Sequence, residues 1–157
     1  MRPIMMLATA AVASLIALPA YAGPAEDAFL AKLTGTWTGA GTVTGEDQGT
    51  VACTLSFKPA PTGEKFSGKC VAKGLTGGQT FSGTISYNDK TKRYEAGGNG
   101  QTSVGVKSGS SVVFTSALKG IVTGTTVMKV STGKILIDAT IDRGRGKTSK
   151  SHVTFTK

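Results

Sequence analysis

The chain is short of the side chains from which active centres are usually built. It has a single histidine, two cysteines and nine carboxylates, with no metal-ligand spacing or paired-acid pattern among them. A nucleophile with its base, two converging carboxylates or a ligand set would be needed for the common hydrolytic and metal-assisted chemistries. No catalytic or metal-binding residue is therefore assigned, and the protein is expected not to be an enzyme. Aromatic residues make up only 6% of the chain, too few to supply a surface for stacking bases, so specific nucleic-acid binding is not expected. Beyond residue 22 no apolar run approaches the ~18 residues of a membrane helix.

What is present begins with an export signal. Arg2 is followed by Ile4 to Leu18, apolar apart from Thr9 and Ser14, and then by the small-x-small triplet Ala20-Tyr21-Ala22. This pattern predicts a signal peptide over residues 1–22, cleaved before Gly23, and a periplasmic or secreted protein. Residues 23–157 then form one domain. Removing Arg2 from the chain's 18 basic residues leaves 17 against 9 acidic ones, a net charge near +8. In an oxidising compartment the even pair Cys53 and Cys70 predicts one disulfide.

Twenty-two glycines and abundant Thr and Ser argue for strands joined by tight turns. Pro24 to Leu33 is the one helical candidate: Pro24 suits a first turn, Glu26 and Asp27 suit its dipole, and Phe29, Leu30 and Leu33 share a face. From Gly35 onward apolar residues alternate with polar ones between Gly, Asn, Asp and Pro punctuation. Val51, Cys53, Leu55 and Phe57 lie on one face of a strand, and Phe66, Gly68, Cys70 and Ala72 on one face of the next. Opposing Cys53 to Cys70 also opposes Phe57 to Phe66 and Lys58 to Lys65, with a four-residue loop Ala60-Pro61-Thr62-Gly63. A second hairpin brings Tyr87 to Tyr94. A third, turning through residues 143–147, brings Ile137 to Val153 and Ile135 to Phe155. Short connections leave no room for crossovers. The fold class is all-β: an antiparallel up-and-down barrel of about ten (eight to ten) strands behind a short N-terminal helix, apolar inside and rich in Thr, Ser and Lys outside.

The segment Phe29 to Gly41, with Gly35-Thr36-Trp37 at its centre, resembles the opening of the calycin-type barrels: lipocalins, fatty-acid-binding proteins and nitrobindin-like barrels. The resemblance implies that Trp37 closes one end of the barrel and that the interior holds a small hydrophobic or amphipathic ligand. Phe57, Phe66, Phe81, Tyr87 and Ile137 are the expected ligand-binding residues beside Trp37, and small inward residues, Gly39, Gly41, Gly68, Gly83, Ala72 and Ala139, are expected to leave volume between them. No cofactor is expected. Haem through a late histidine is the lesser implication of the nitrobindin likeness, but alternation against Val153 and Phe155 turns His152 outward. Trp37, Cys53 and Cys70 also resemble the layout of small periplasmic inhibitors of metalloproteases. That alternative makes a protease the partner, engaged by rim loops or by residues 23–33. Finally, Arg143, Arg145, Lys147 and Lys150 at one hairpin tip, and Lys90, Lys92 and Arg93 at another, suit anionic envelope components.

Overall fold

Strict alternation of inward apolar and outward polar side chains runs the length of the chain after one helix, and it dictates the architecture of the computed structural model. The structure describes residues 23–73, 78–98, 101–117 and 123–157; the expected signal segment, residues 1–22, lies outside them. The helix α1 spans Pro24–Leu33. The strands are β1 (Gly35–Gly45), β2 (Gly49–Ala60), β3 (Gly63–Lys73), β4 (Gly78–Asn88), β5 (Arg93–Gly98), β6 (Gln101–Ser108), β7 (Ser111–Ala117), β8 (Thr123–Ser131), β9 (Lys134–Asp142) and β10 (Thr148–Thr156). Each strand pairs antiparallel with its sequence neighbours, and β1 pairs with β10 to close the barrel. Closure leaves no unpaired sheet edge among the described strands.

The registers follow the apolar pattern. Cys53 opposes Cys70, Phe57 opposes Phe66 and Lys58 opposes Lys65. Tyr87 opposes Tyr94, and Ile137 and Ile135 oppose Val153 and Phe155. The β2–β3 turn is tighter than the expected four-residue loop. Pairing continues to Ala60 and Gly63, leaving Pro61 and Thr62 as the turn. Gly63 makes this possible with a φ of 127°, a backbone angle that side chains with a Cβ rarely adopt.

One end of the barrel is sealed. α1 lies against β3, β4 and β8, strands on opposite sides of the ring, so the helix crosses the end rather than running along the wall. Phe29, Leu30 and Leu33 are buried there. The Trp37 indole N–H donates to the Leu33 carbonyl at 2.7 Å, locking the start of β1 to the end of α1. Beneath the helix, Trp37, Tyr94, Ile85, Ile135 and Val112 form the most deeply buried layer of the core. Each fully buried side chain of this size contributes roughly 2 kcal/mol of transfer free energy.

Candidate functional site

Above the sealed layer the barrel is hollow. A cavity of about 580 Å³ opens toward the end opposite α1. Its floor and lower walls are apolar: Phe57, Ile85, Phe114, Met128, Val153 and Phe155. Its upper wall carries Gln79, Ser103, Thr126 and Ser151, with the Cys53–Cys70 disulfide among them. No ionisable side chain lines it among the described residues. This arrangement, an apolar floor below neutral hydroxyl and amide groups, suits a molecule with an apolar body and a neutral polar end.

The residues expected from the sequence to bind a ligand divide into two sets. Phe57, Phe66, Phe81 and Ile137 line the cavity. Trp37 lies under it in the sealed layer, and Tyr87 stands outside the lining, packed edge-on against Tyr94 at 5.0 Å between ring centres. Tyr94 in turn meets Phe29 of α1 at 5.1 Å, so this end of β4 is committed to holding the helix. Burial, then the Glu26 carboxylate, push the Tyr94 phenol up to about 12.

The glycines do not leave the volume expected of them. A side chain at Gly39 would collide with the Phe155 ring, one at Gly68 with Phe81, and one at Gly83 first with the Gly97 carbonyl and then with Phe66. Each aromatic ring covers the glycine directly across from it, the pairing by which β-sheets compensate for glycine. The open volume lies beside Ala139, as expected of that small inward residue, and beside Ala96. Sequence reasoning did not single out Phe114, Met128, Gln79 or Thr126. Phe114 shares a strand face with Val112, and Met128 with Val130, so both carried a usable period-two signal. Gln79 and Thr126 resemble the many outward polar residues.

Two surface expectations also meet the geometry. His152 faces outward, its Nδ1 paired with Asp138 at 2.5 Å. The chain has no other histidine, so a histidine-ligated haem does not fit this interior. The basic tip at residues 143–147 is largely occupied. Arg143 pairs with Asp47 at 2.8 Å, Lys147 pairs with Glu46 at 2.8 Å, and Ser149 donates to Asp47 at 2.9 Å. Hydrogen bonds from Arg143 and then Ser149 hold the Asp47 carboxyl below its ordinary value of 3.8. The turn after β1 is thereby clamped to the turn after β9 at the open end.

No protein-family model matches the chain, and no curated protein sequence does. Solved structures do. The S-type phycobiliprotein lyase CPES from Guillardia theta superposes with a TM-score of 0.61 at 8% identity, over 83% of this chain and 90% of that one. Rv2717c from M. tuberculosis gives 0.54 at 10% identity, over 86% and 98%. Both are ten-stranded antiparallel barrels of the calycin type, so the resemblance carried by Gly35-Thr36-Trp37 holds at the level of fold. The comparison corrects one expectation. The chain was expected not to be an enzyme because it lacks familiar catalytic patterns. The same barrel carries a protein named a lyase, so those missing patterns do not set this fold outside catalysis.

Proposed function

We propose that residues 23–157 are exported after removal of residues 1–22, and that the barrel holds one small, uncharged, apolar or amphipathic molecule in its open-ended interior. The observation that carries this reading is the cavity of about 580 Å³ with an apolar floor, a neutral polar upper wall and no ionisable lining side chain among the described residues. A carboxylate or phosphate buried there would lose its hydration without gaining a cation, which costs several kcal/mol. Long-chain alcohols, isoprenoid alcohols and neutral polyenes suit it better than fatty acids. A matched structure named a phycobiliprotein lyase adds support, since a barrel that encloses a small molecule can carry it or position it for reaction. The Cys53–Cys70 disulfide supports the export reading, because such bonds persist in oxidising compartments.

Displacement of Nile red from the purified mature chain tests the reading. A long-chain alcohol displaces the dye, and the fatty acid of equal length competes at least about tenfold less well at neutral pH. No uptake of the dye or of any neutral lipid would remove the proposal. Sequencing the N-terminus of the periplasmic fraction tests export, with Gly23 the expected first residue.

A further inference from the structure

The charge of this protein is distributed unevenly around the barrel. Its nine carboxylates sit on α1, in the turns after β1 and β4, on β5 and β9, and, for Glu64, inside the core. None stands on the outer face of β1, β2, β3 or β4. That wall carries Lys58, Lys65, Lys69 and Lys73, all exposed, and none of the four has an ion-pair partner among the described residues. Lys58 and Lys65 are directly opposed across the hairpin, a placement that destabilises a sheet. Arg143 and Lys147 at the basic tip, by contrast, are paired with Asp47 and Glu46 of the turn after β1. Beside the lysines, Thr54, Ser56, Ser67, Thr80 and Ser82 join Lys69 around a shallow depression of about 450 Å³.

We infer that the outer wall of β2, β3 and β4 is a binding surface for an extended anionic polysaccharide. Its acidic groups lie along Lys58, Lys65, Lys69 and Lys73, and its hydroxyls meet the Ser and Thr rows between them. Lys65, Lys69 and Lys73 recur every fourth residue along β3, ~13 Å apart at the usual strand rise, so the row tracks a linear polymer rather than a single ion. Two other polyanions fit less well. Among the described residues Val71 is the one exposed large apolar side chain on this wall, too little to enter a bilayer. Among the described residues of these strands, Phe57, Phe66 and Phe81 turn into the cavity, although Phe81 also borders the depression, so no row of exposed rings is offered to stack on bases. The interior plays no part in this surface, so its test is independent of the cavity.

The experiment uses heparin as the probe and the mature chain as the protein, at low and at physiological salt. Lys58→Gln/Lys65→Gln/Lys69→Gln binds heparin about tenfold more weakly, while Lys90→Gln/Lys92→Gln/Lys134→Gln, with the same loss of charge elsewhere, stays within about twofold. Equal losses in the two variants would reduce the effect to net charge and overturn the assignment. Tighter binding of phosphatidylglycerol vesicles or of duplex DNA through the same lysines would overturn the choice of a polysaccharide. Removing the opposed Lys58 and Lys65 relieves repulsion, so the triple variant is expected to melt no lower than the parent. Should it fail to fold, Lys69→Gln alone, flanked by Thr54 and Thr80, carries the test with a loss of about threefold.

Discussion

A Cβ placed on Gly41 would stand 1.9 Å from the carbonyl oxygen of His152 on the neighbouring strand, and one on Gly39 would stand 2.5 Å from the Phe155 ring. The two clashes have different remedies. Phe155 borders the cavity, so its ring has somewhere to turn, whereas the His152 carbonyl belongs to the β1–β10 ladder and cannot withdraw without breaking it. Gly41→Ala is therefore expected to cost about 3 kcal/mol in urea unfolding and Gly39→Ala about 1 kcal/mol. Equal costs would mean that the two strands adapt as freely as a side chain. Tyr94 gives a second residue-level prediction. Its hydroxyl is buried without a partner among the described residues, so Tyr94→Phe keeps the ring contacts, removes a desolvated group and raises stability by about 1 kcal/mol at neutral pH. The unfolded phenol ionises near 10.0, but the folded one near 12. In that window the native state keeps a proton that the unfolded chain releases. The stability from this group is whole below pH 10.0 and is lost as pH rises through about 12. Alkaline melting curves of Tyr94→Phe should lack that part of the decline.

Helix and hairpins obey the same packing logic one level up. Phe29, Leu30 and Leu33 of α1 were legible as one apolar face, but a sequence does not say which end of a barrel such a face will close. The structure makes the helix part of the core, with Leu33 wholly buried. The inhibitor alternative treated residues 23–33 as separable from the barrel. Here Leu33→Ala should cost about 3 kcal/mol, and removing residues 23–33 should leave a chain that does not fold cooperatively by circular dichroism. The β2–β3 register was fully legible, because cysteines, phenylalanines and lysines all demanded the same pairing. Its turn was not, since the run Ala60-Pro61-Thr62-Gly63 reads equally as a loop or as a strand end. The clamp between the turns after β1 and β9 left no trace in periodicity: Glu46 and Asp47 lie about a hundred residues from Arg143 and Lys147, as the separations of 96 and 101 record. Because Asp47 is held below 3.8, the clamp is intact above that pH and is lost as pH falls through the lowered value. Backbone relaxation by NMR should show residues 46–48 and 143–147 loosening together in acid, and Asp47→Asn should loosen them at neutral pH.

At the scale of the whole molecule, period-two alternation determined that the chain closes, but not whether the closed barrel is solid. Strand count sets the girth, and the side chains at each inward position decide how much of the girth is filled. Small residues at inward positions suggested space, yet opposing aromatic rings cover Gly39, Gly68 and Gly83, and of those expected positions the cavity opens beside Ala139, with Ala96 added to it. Only cross-strand register distinguishes a glycine beneath a ring from an alanine beside the cavity, and for Gly39 that register joins the first strand to the last. The distinction can be measured without knowing the ligand. In a close-packed interior, adding methylenes forces strain of about 1–3 kcal/mol. In a hollow one, the added carbons find space and bury apolar area at no such cost. Ala139→Leu and Ala96→Leu should therefore leave the unfolding free energy unchanged or raise it, while together they reduce Nile red uptake by filling its place. A loss of more than about 2 kcal/mol from either substitution would mean that the interior is already filled, and the ligand reading would fall with it. The lysine wall on the outer face of β2 and β3 would be untouched, because inward and outward residues answer to different neighbours.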